Sequence, residues 1–283
     1  MALLEAGEHV TGGSYVVERL LGRGSFSEVY RVRHTVLGRL AMKVLRKVGT
    51  LAQTHELLGE AVLLSRLGHP NVVRVFDAGT VTTAAGERGW FTMEYVAGGN
   101  LDDYRTAHTA GPLPVADSVE ILRQLCAGLA AAHGEDPPIV HRDLTPWNIL
   151  VGQDAHGIRV RIGDFGLARR AQPGLTGGEG TLAFMAPEAL RYGVGSSTAA
   201  DVYSVGVLAY LLLTDVLPHR DLAHTVYGAE RRRPPVAPSR FNRAVDAALD
   251  DLVLRALDPD PGRRPKHAAA FADALEQWRE AAA

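Results

Sequence analysis

Two short segments in the second half of the chain carry residues that could bind metal ions and activate a hydroxyl group. Asp143 and Asn148 lie five residues apart within residues 140–150, and Asp164 begins an Asp-Phe-Gly tripeptide soon afterwards. Side-chain oxygens of Asn148 and Asp164 could hold two Mg²⁺ ions against a triphosphate. Asp143 would then be free to orient a hydroxyl nucleophile. Either segment alone occurs by chance, so the interpretation depends on the elements that would position a triphosphate.

A glycine-rich turn near the start of the chain could approach phosphate groups. It joins two strand-like segments, residues 15–21 and 28–32, and it contains Gly22, Gly24, Ser25 and Phe26. Glycines let the backbone come close to phosphates and offer its amide groups to them. An ordinary hairpin turn can have the same sequence, so this motif is weak when it stands alone.

A lysine on the next strand is a candidate phosphate ligand. Lys43 lies inside the apolar run 40–45, which predicts a lysine that faces the protein interior. Burying an amine without a counter-charge costs several kcal/mol, so an acidic partner is expected. Residues 54–67 have apolar side chains at helical spacing, and Glu56 and Glu60 lie one turn apart on that predicted helix. Either glutamate could pair with Lys43.

These motifs, with Ala-Pro-Glu at residues 186–188, occur in the order typical of one enzyme family. The chain resembles the catalytic domain of eukaryotic-type (Hanks-type) serine/threonine protein kinases, in a bacterial form. The resemblance implies an α+β, bilobal fold: a small lobe of about five antiparallel strands and one helix, residues 13–97, and a larger, mainly α-helical lobe, residues 98–283. It also implies ATP, Mg²⁺ or Mn²⁺, protein substrates and autophosphorylation in trans within a dimer.

The resemblance assigns roles residue by residue. Asp143 is the expected base, Lys43 holds the α- and β-phosphates, and Asn148 and Asp164 bind the metal ions. Glu60 is preferred to Glu56 as the partner of Lys43, because the apolar residue four positions later matches a family position. The residues expected to contact ATP are Gly22, Gly24, Ser25, Phe26, Val29, Ala41, Lys43, Met93, Glu94, Val96 and Leu150.

Other positions match residues that organise the site in this family. The Thr181 hydroxyl is expected to bond the carboxylate of Asp143, and Asp201 is expected to brace the backbone of the catalytic loop. Glu188 is expected to form a buried ion pair with Arg264 rather than with Arg263, since an unpaired buried charge is costly.

A regulatory switch is predicted around Thr176. Phosphorylated Thr176 could bridge Arg142, which precedes the catalytic aspartate, and Arg169. Glu179 is the alternative, because its fixed carboxylate could neutralise Arg142 without modification.

The sequence departs from the family pattern at two positions. Thr145 stands where most serine/threonine kinases carry a lysine that contacts the γ-phosphate, and Ser27 replaces the third glycine of the turn. A regulatory ATP-binding module without activity (a pseudokinase) is therefore one alternative. A small-molecule kinase is another, although such enzymes lack the Ala-Pro-Glu segment.

Composition excludes several other classes of protein. The chain has 283 residues and a formal net charge of -2, so neither nucleic acid nor a polyanionic surface is indicated as a partner. Its single cysteine, Cys126, excludes a disulfide framework and is expected to be a core thiol. No targeting signal is recognised at the start, and the most apolar stretch, residues 202–213, is shorter than the roughly 20 residues that span a bilayer. A cytoplasmic location and a buried helix over 202–213 are predicted.

Overall fold

The computed structural model describes residues 2–24, 27–46, 67–108, 111–155, 157–165, 182–192, 197–219 and 234–282. The chain forms two compact units, one from Met1–Gly68 with Val72–Ala97 and the other from His69–Asn71 with Gly98–Ala283. The helix predicted around Glu60 lies outside the described residues. The assignment of residues 13–97 and 98–283 to the two lobes of one catalytic domain stays a proposal.

The first unit is built on one antiparallel sheet. Its six strands follow the order β1-β2-β3-β4-β6-β5. The strands are β1 His9–Val10, β2 Tyr15–Arg23, β3 Ser27–His34, β4 Gly38–Leu45, β5 Val75–Thr83 and β6 Gly86–Glu94. β1, which pairs with β2, has only two residues, so no alternating pattern could reveal it.

The position of β5 differs from the sequence prediction. The sequence pattern predicts strands over residues 72–76 and 90–96 joined by a polar loop, but in the structure β5 extends from Val75 to Thr83 and leaves a tight turn before β6. β5 pairs only with β6 and forms an edge of the sheet. Most of its residues are at least partly exposed to solvent, so polar side chains are tolerated there. The loop prediction was therefore wrong.

One face of this sheet carries the core of the first unit. Ten buried residues form the cluster, including Leu4 from the segment before β1 and Trp90 from β6; the others are Val10, Tyr15, Val17, Tyr30, Val32, Leu40, Met42 and Val44. Buried residues alternate with less buried ones along residues 15–17 of β2 and 27–32 of β3, as expected where one face of a strand packs inward. The sheet is thereby held in the register that places the site residues described below.

The second unit is mainly helical. Its described helices are α1 Leu101–Thr106, α2 Val115–His133, α3 Pro187–Tyr192, α4 Thr198–Thr214, α5 Ala247–Ala256 and α6 Ala268–Ala282. A two-stranded hairpin, β7 Ile149–Asp154 and β8 Gly157–Ile162, lies against α2. α4 is buried on every side from Ala200 to Thr214, which confirms the helix predicted over residues 202–213.

α2 presents an apolar stripe to the interior, which includes the expected core thiol of Cys126. Val119, Leu122, Cys126 and Leu129 are all buried. Burial raises the pKa of the Cys126 thiol, so it behaves as a neutral core side chain. None of the helices in the described ranges combines the length and hydrophobicity that crossing a membrane requires.

Candidate active site

The β7–β8 hairpin brings the two predicted metal ligands to the same end. Ile149 pairs with Ile162 at the open end of the hairpin, and the Gly163 amide donates to the Asn148 carbonyl at 2.8 Å. Asn148 therefore precedes β7 directly opposite Gly163, and Asp164 is the next residue. Two positions that lie 16 residues apart in the chain become neighbours through the pairing of one hairpin.

A buried amide side chain fixes the hairpin on helix α2. Gln124 accepts a hydrogen bond from the Val160 amide at 2.9 Å and donates to the Ile158 carbonyl at 2.8 Å. Asn71 donates to both the Gln124 side chain and the Val160 carbonyl, at 3.0 and 2.9 Å. This network anchors β8 on the rigid helix, and the Asn148 end of the hairpin is positioned with it.

Asp143 and Asn148 are directly bonded to each other. The Asn148 Nδ2 group donates to the Asp143 carbonyl at 2.8 Å and to Asp143 Oδ2 at 3.0 Å. With both amide hydrogens engaged, Asn148 retains its Oδ1 oxygen as a possible metal ligand. Asp143 Oδ1 is buried, and no group in the described ranges donates to it. One carboxylate oxygen is therefore held by Asn148 while the other remains an acceptor.

His141 joins the loop that carries Asp143 to the loop that carries Asp164. Its Nδ1 accepts from the Asp143 amide at 3.3 Å, so Nε2 carries the proton and donates to the Gly163 carbonyl at 2.9 Å. The ring lies 4.6 Å from that of Phe165, centroid to centroid. A fully buried imidazole thus connects the Asp143 amide with the carbonyl of Gly163, the residue before Asp164. This role was not predicted from the sequence.

Asp201, at the start of α4, satisfies two backbone amides of the catalytic loop. Its Oδ2 accepts from the His141 amide at 2.8 Å and its Oδ1 from the Arg142 amide at 2.9 Å. Arg142 has a φ of 72°, in the left-handed region that side chains rarely adopt. His133 Nε2 lies 2.9 Å from Asp201 Oδ2 and completes the cluster. The bracing contact expected of Asp201 is formed, whereas the contribution of His133 was missed.

Glu188 and Arg264 form a bidentate ion pair. The two guanidinium NH groups of Arg264 donate to the two Glu188 oxygens at 2.7 and 2.8 Å. The Arg264 side chain is fully buried, whereas the side chain of Arg263 is 75% exposed. The pairing preferred from the sequence is therefore the one that forms. It fixes α3, which begins at Pro187, on the residues that precede α6.

The sheet of the first unit places four predicted nucleotide contacts on one face. Cross-strand pairing joins Val29 to Lys43 and Ala41 to Met93, and alternate residues of a strand share a face. Val29, Ala41, Lys43 and Met93 therefore line the same side of the sheet. Lys43 is only 8% exposed, and its Nζ lies 6.0 Å from the centroid of the Phe91 ring.

The glycine turn leaves open space at one of its glycines. The Gly24 amide donates to the Ser27 carbonyl at 2.8 Å, and Gly22 pairs with Val29. A methyl group added at Gly22 would meet no atom of the described residues within 4 Å. Among those residues, neither packing nor a positive φ requires glycine at this position. The space is suited to a ligand that approaches the backbone closely.

Several predicted site residues lie outside the described residues: Glu60, Ser25, Phe26, Arg169, Thr176 and Thr181. Glu94 is the last residue of β6, and Val96 lies two residues after it. Leu150 is the second residue of β7. The Glu94 amide donates to the Arg74 carbonyl at 2.8 Å. Arg142, the predicted partner of a phosphorylated Thr176, is exposed to solvent.

The donor set fits a magnesium ion that shares its ligands with a phosphate. Among the described residues, no group of three or more His, Cys, Asp or Glu side chains is arranged to hold a metal ion by itself. Asn148 and Asp164 offer only oxygen atoms, which Mg²⁺ prefers, and Mg²⁺ in phosphate-transfer sites takes its remaining ligands from substrate and water. The residues fit a metal that arrives with a nucleotide.

Comparisons with known proteins agree with this arrangement. The profile of the protein kinase domain matches residues 15–276. The chain is 38% identical over 290 residues to serine/threonine-protein kinase Pkn1 of Myxococcus xanthus, covering 97% of this chain and 40% of Pkn1. It is 34% identical over 267 residues to serine/threonine-protein kinase PknB of Mycobacterium tuberculosis, covering 90% of this chain and 41% of PknB. The chain thus spans about two fifths of the length of these relatives.

Solved structures show the same fold. The kinase domain of Mycobacterium tuberculosis PknI superposes with a TM-score of 0.74 at 27% identity, over 98% of this chain and 99% of that domain. The predicted α+β fold class, with an antiparallel β lobe and a mainly helical lobe, is confirmed. The chain belongs to the protein kinase domain family.

Proposed function

We propose that the chain transfers the γ-phosphate of ATP to serine and threonine hydroxyls of protein substrates. The observation that carries the proposal is the cluster at the end of the β7–β8 hairpin. There the Asn148 side chain donates to one carboxylate oxygen of Asp143 at 3.0 Å, and the other oxygen remains an acceptor. Asp164 follows Gly163, whose amide donates to the Asn148 carbonyl. A base beside two oxygen ligands suits phosphoryl transfer, which depends mainly on positioning and charge stabilisation.

In this mechanism each residue has a limited task. Asp143 Oδ1 accepts the hydrogen bond of the substrate hydroxyl, orients it towards the γ-phosphate and takes its proton late in the transfer. Asn148 Oδ1 and the Asp164 carboxylate would hold Mg²⁺, or Mn²⁺, which neutralises charge on the phosphates. Lys43 holds the α- and β-phosphates and is itself oriented by Glu60. Thr181 bonds to Asp143 and contributes to the choice of hydroxyl substrates.

The adenine is proposed to bind through backbone groups and a small apolar surface. The Glu94 carbonyl and the Val96 amide would pair with the edge of the base, beside Met93. Val29 and Ala41 share the face of the sheet that carries Lys43. Leu150 is a further contact of the base that the sequence resemblance implies.

Regulation stays a proposal from the sequence. Phosphorylated Thr176 would bridge Arg142 and Arg169, and Glu179 is the alternative anchor. A cytoplasmic location and autophosphorylation in trans within a dimer likewise remain predictions.

A transfer assay tests the function directly. The purified chain, incubated with labelled ATP, Mg²⁺ and a generic protein substrate, is expected to label serine and threonine. Asp164→Ala should abolish labelling, whereas Asp154→Ala, at the exposed tip of the hairpin, should retain it. ATP binding without any transfer would instead identify a pseudokinase, and transfer to small molecules alone would identify a small-molecule kinase.

A second prediction concerns the missing lysine at position 145. Thr145 is 3% exposed and precedes the short 3-10 turn Pro146–Asn148. If its lost charge limits the rate, Thr145→Lys should raise kcat about tenfold without lowering the KM for ATP, as expected for a contact made in the transition state. Thr145→Met adds similar length without charge and should give no gain. Equal values of kcat in the two variants would show that another cation already serves the γ-phosphate.

A further inference from the structure

A buried carboxylate lies next to the glycine turn, on the strand that leaves it. Glu28 is fully buried although it is only the second residue of β3, the strand that follows the turn. It pairs across the turn with Arg23, whose Nε lies 2.8 Å from Glu28 Oε1. Arg46, after β4, lies 3.9 Å from the same oxygen and also donates to the Gly24 carbonyl at 3.3 Å. Glu28 thus lies beside Arg23 on β2 and near Arg46 after β4, and Arg46 contacts the Gly24 carbonyl in the turn.

The other oxygen of Glu28 is held by the N-terminal segment, residues 3–10. The Leu3 amide donates to Glu28 Oε2 at 2.8 Å, and the Tyr30 hydroxyl donates to the same oxygen. The Tyr30 oxygen in turn lies within hydrogen-bonding distance of the Leu3 and Leu4 amides, at 3.0 and 3.1 Å. The Glu28 carboxylate, the Tyr30 hydroxyl and the backbone amides of residues 3 and 4 therefore converge. The two amides precede residues 15–276, the range that the kinase profile matches.

The charges in this cluster keep its hydrogen bonds in one arrangement. Burial alone would raise the pKa of the Glu28 carboxyl, but hydrogen bonds from Tyr30 and the Leu3 amide, together with Arg23 and Arg46, lower it. Burial and the adjacent Glu28 raise the pKa of Tyr30 to about 12. Tyr30 therefore stays protonated and remains a donor to an ionised Glu28 at neutral pH.

The N-terminal segment is itself firmly held. Leu4 belongs to the core cluster of the sheet, the Gly7 amide donates to the Val17 carbonyl at 2.8 Å, and His9 pairs with Val16 in β1. The contacts thus form a path from this segment through Tyr30, Glu28 and Arg46 to the Gly24 carbonyl.

We infer that Glu28 is a positioning residue for nucleotide binding, and that residues 3–10 set its position. The inference rests on the proposed function, in which the backbone at Gly22 and Gly24 approaches the phosphates of ATP. Without the Leu3 and Tyr30 donors, Glu28 would lose its fixed orientation, and Arg23 and Arg46 would no longer hold the strands on both sides of the turn. ATP affinity should then fall, while the transfer step, which belongs to the other unit's Asp143, should change little.

Two substitutions at Leu3 test the contribution of its backbone amide separately from that of its side chain. Leu3→Pro removes the N–H that donates to Glu28 and Tyr30, whereas Leu3→Ala keeps it. Tyr30→Phe removes the hydroxyl group and keeps the ring. Glu18→Ala is the matched control, because Glu18 is a carboxylate of the same sheet that pairs with Arg31 at 2.6 Å and Arg33 at 3.0 Å. The measurements are the dissociation constant of Mg-ATP, the KM for ATP, kcat and Tm.

Leu3→Pro and Tyr30→Phe are each expected to raise the dissociation constant and the KM for ATP about fivefold, the effect of roughly one hydrogen bond, with kcat within about twofold. Leu3→Ala and Glu18→Ala should leave the KM unchanged, even if Glu18→Ala lowers Tm. Unchanged ATP affinity in Leu3→Pro and Tyr30→Phe, beside a wild-type chain that binds and transfers, overturns this inference alone. A loss of kcat as large as the rise in KM also overturns it. A wild-type chain that binds no ATP overturns the proposed function, and this inference with it.

Discussion

Replacing Asp143 by asparagine is expected to lower kcat by about 10²- to 10⁴-fold, the usual contribution of a general base. Asparagine has nearly the same shape as aspartate, and its carbonyl oxygen can still accept the hydrogen bond that Asn148 Nδ2 donates to Asp143 Oδ2 at 3.0 Å. The loop geometry should thus persist. The second position becomes an NH₂ group, which cannot accept a proton from a substrate hydroxyl.

Three measurements distinguish this loss from unfolding or from loss of ATP. Tm and the affinity for Mg-ATP should stay close to those of the wild type, while single-turnover transfer slows. Asp154→Asn makes the same substitution at an exposed carboxylate that pairs with Arg159 at 2.6 Å, and it should leave transfer unchanged. Wild-type rates in Asp143→Asn would remove Asp143 from the proposed mechanism.

The core of the active site could be predicted from sequence because it depends on short-range geometry. Asn148 and Asp164 flank one hairpin, so the pairing of Ile149 with Ile162 brings them together. Asp143 lies on the same short loop as Asn148. In such cases the spacing along the chain nearly determines the spacing in the structure.

Polar partners far apart in sequence could not be predicted in the same way. His133 lies on the apolar stripe of α2, and nothing in that pattern indicates that it meets Asp201, 68 residues later. Glu28 resembles an ordinary strand glutamate, and one of its donors, the Leu3 amide, comes from a segment without any hydrophobic period. The polar residues of β5 indicated a loop, because the pattern did not show that they would form a sheet edge. Each of these depends on tertiary contacts that local spacing does not encode.

Replacing Arg264 by methionine is expected to lower the free energy of unfolding by about 3–5 kcal/mol, because it leaves the Glu188 carboxylate without its buried partner. The guanidinium group also donates to the carbonyls of Ala199 and Asp258, at 2.9 and 2.8 Å, and lies 4.9 Å from the Tyr203 ring centroid. Methionine fills part of the volume but satisfies none of these acceptors.

Arg263 offers a matched control, since it is the adjacent arginine and its nearest acidic contact is Asp260 at 3.8 Å. Arg263→Met should change the free energy of unfolding by less than about 0.5 kcal/mol, as is usual for exposed positions. Urea denaturation of both variants measures the difference. Equal losses of stability would show that the buried pair does not stabilise the second unit.

Two further variants separate charge from geometry at Arg264. Arg264→Lys keeps the charge but loses the bidentate fork and the ring contact, so its loss should lie between those of the wild type and Arg264→Met. In the double variant Arg264→Met with Glu188→Gln, a neutral amide replaces the partly buried carboxylate, so part of the loss should be recovered. That recovery measures the cost of an uncompensated Glu188. Because Glu188 is the second residue of α3, which begins at Pro187, the same charge should determine how firmly this helix is held.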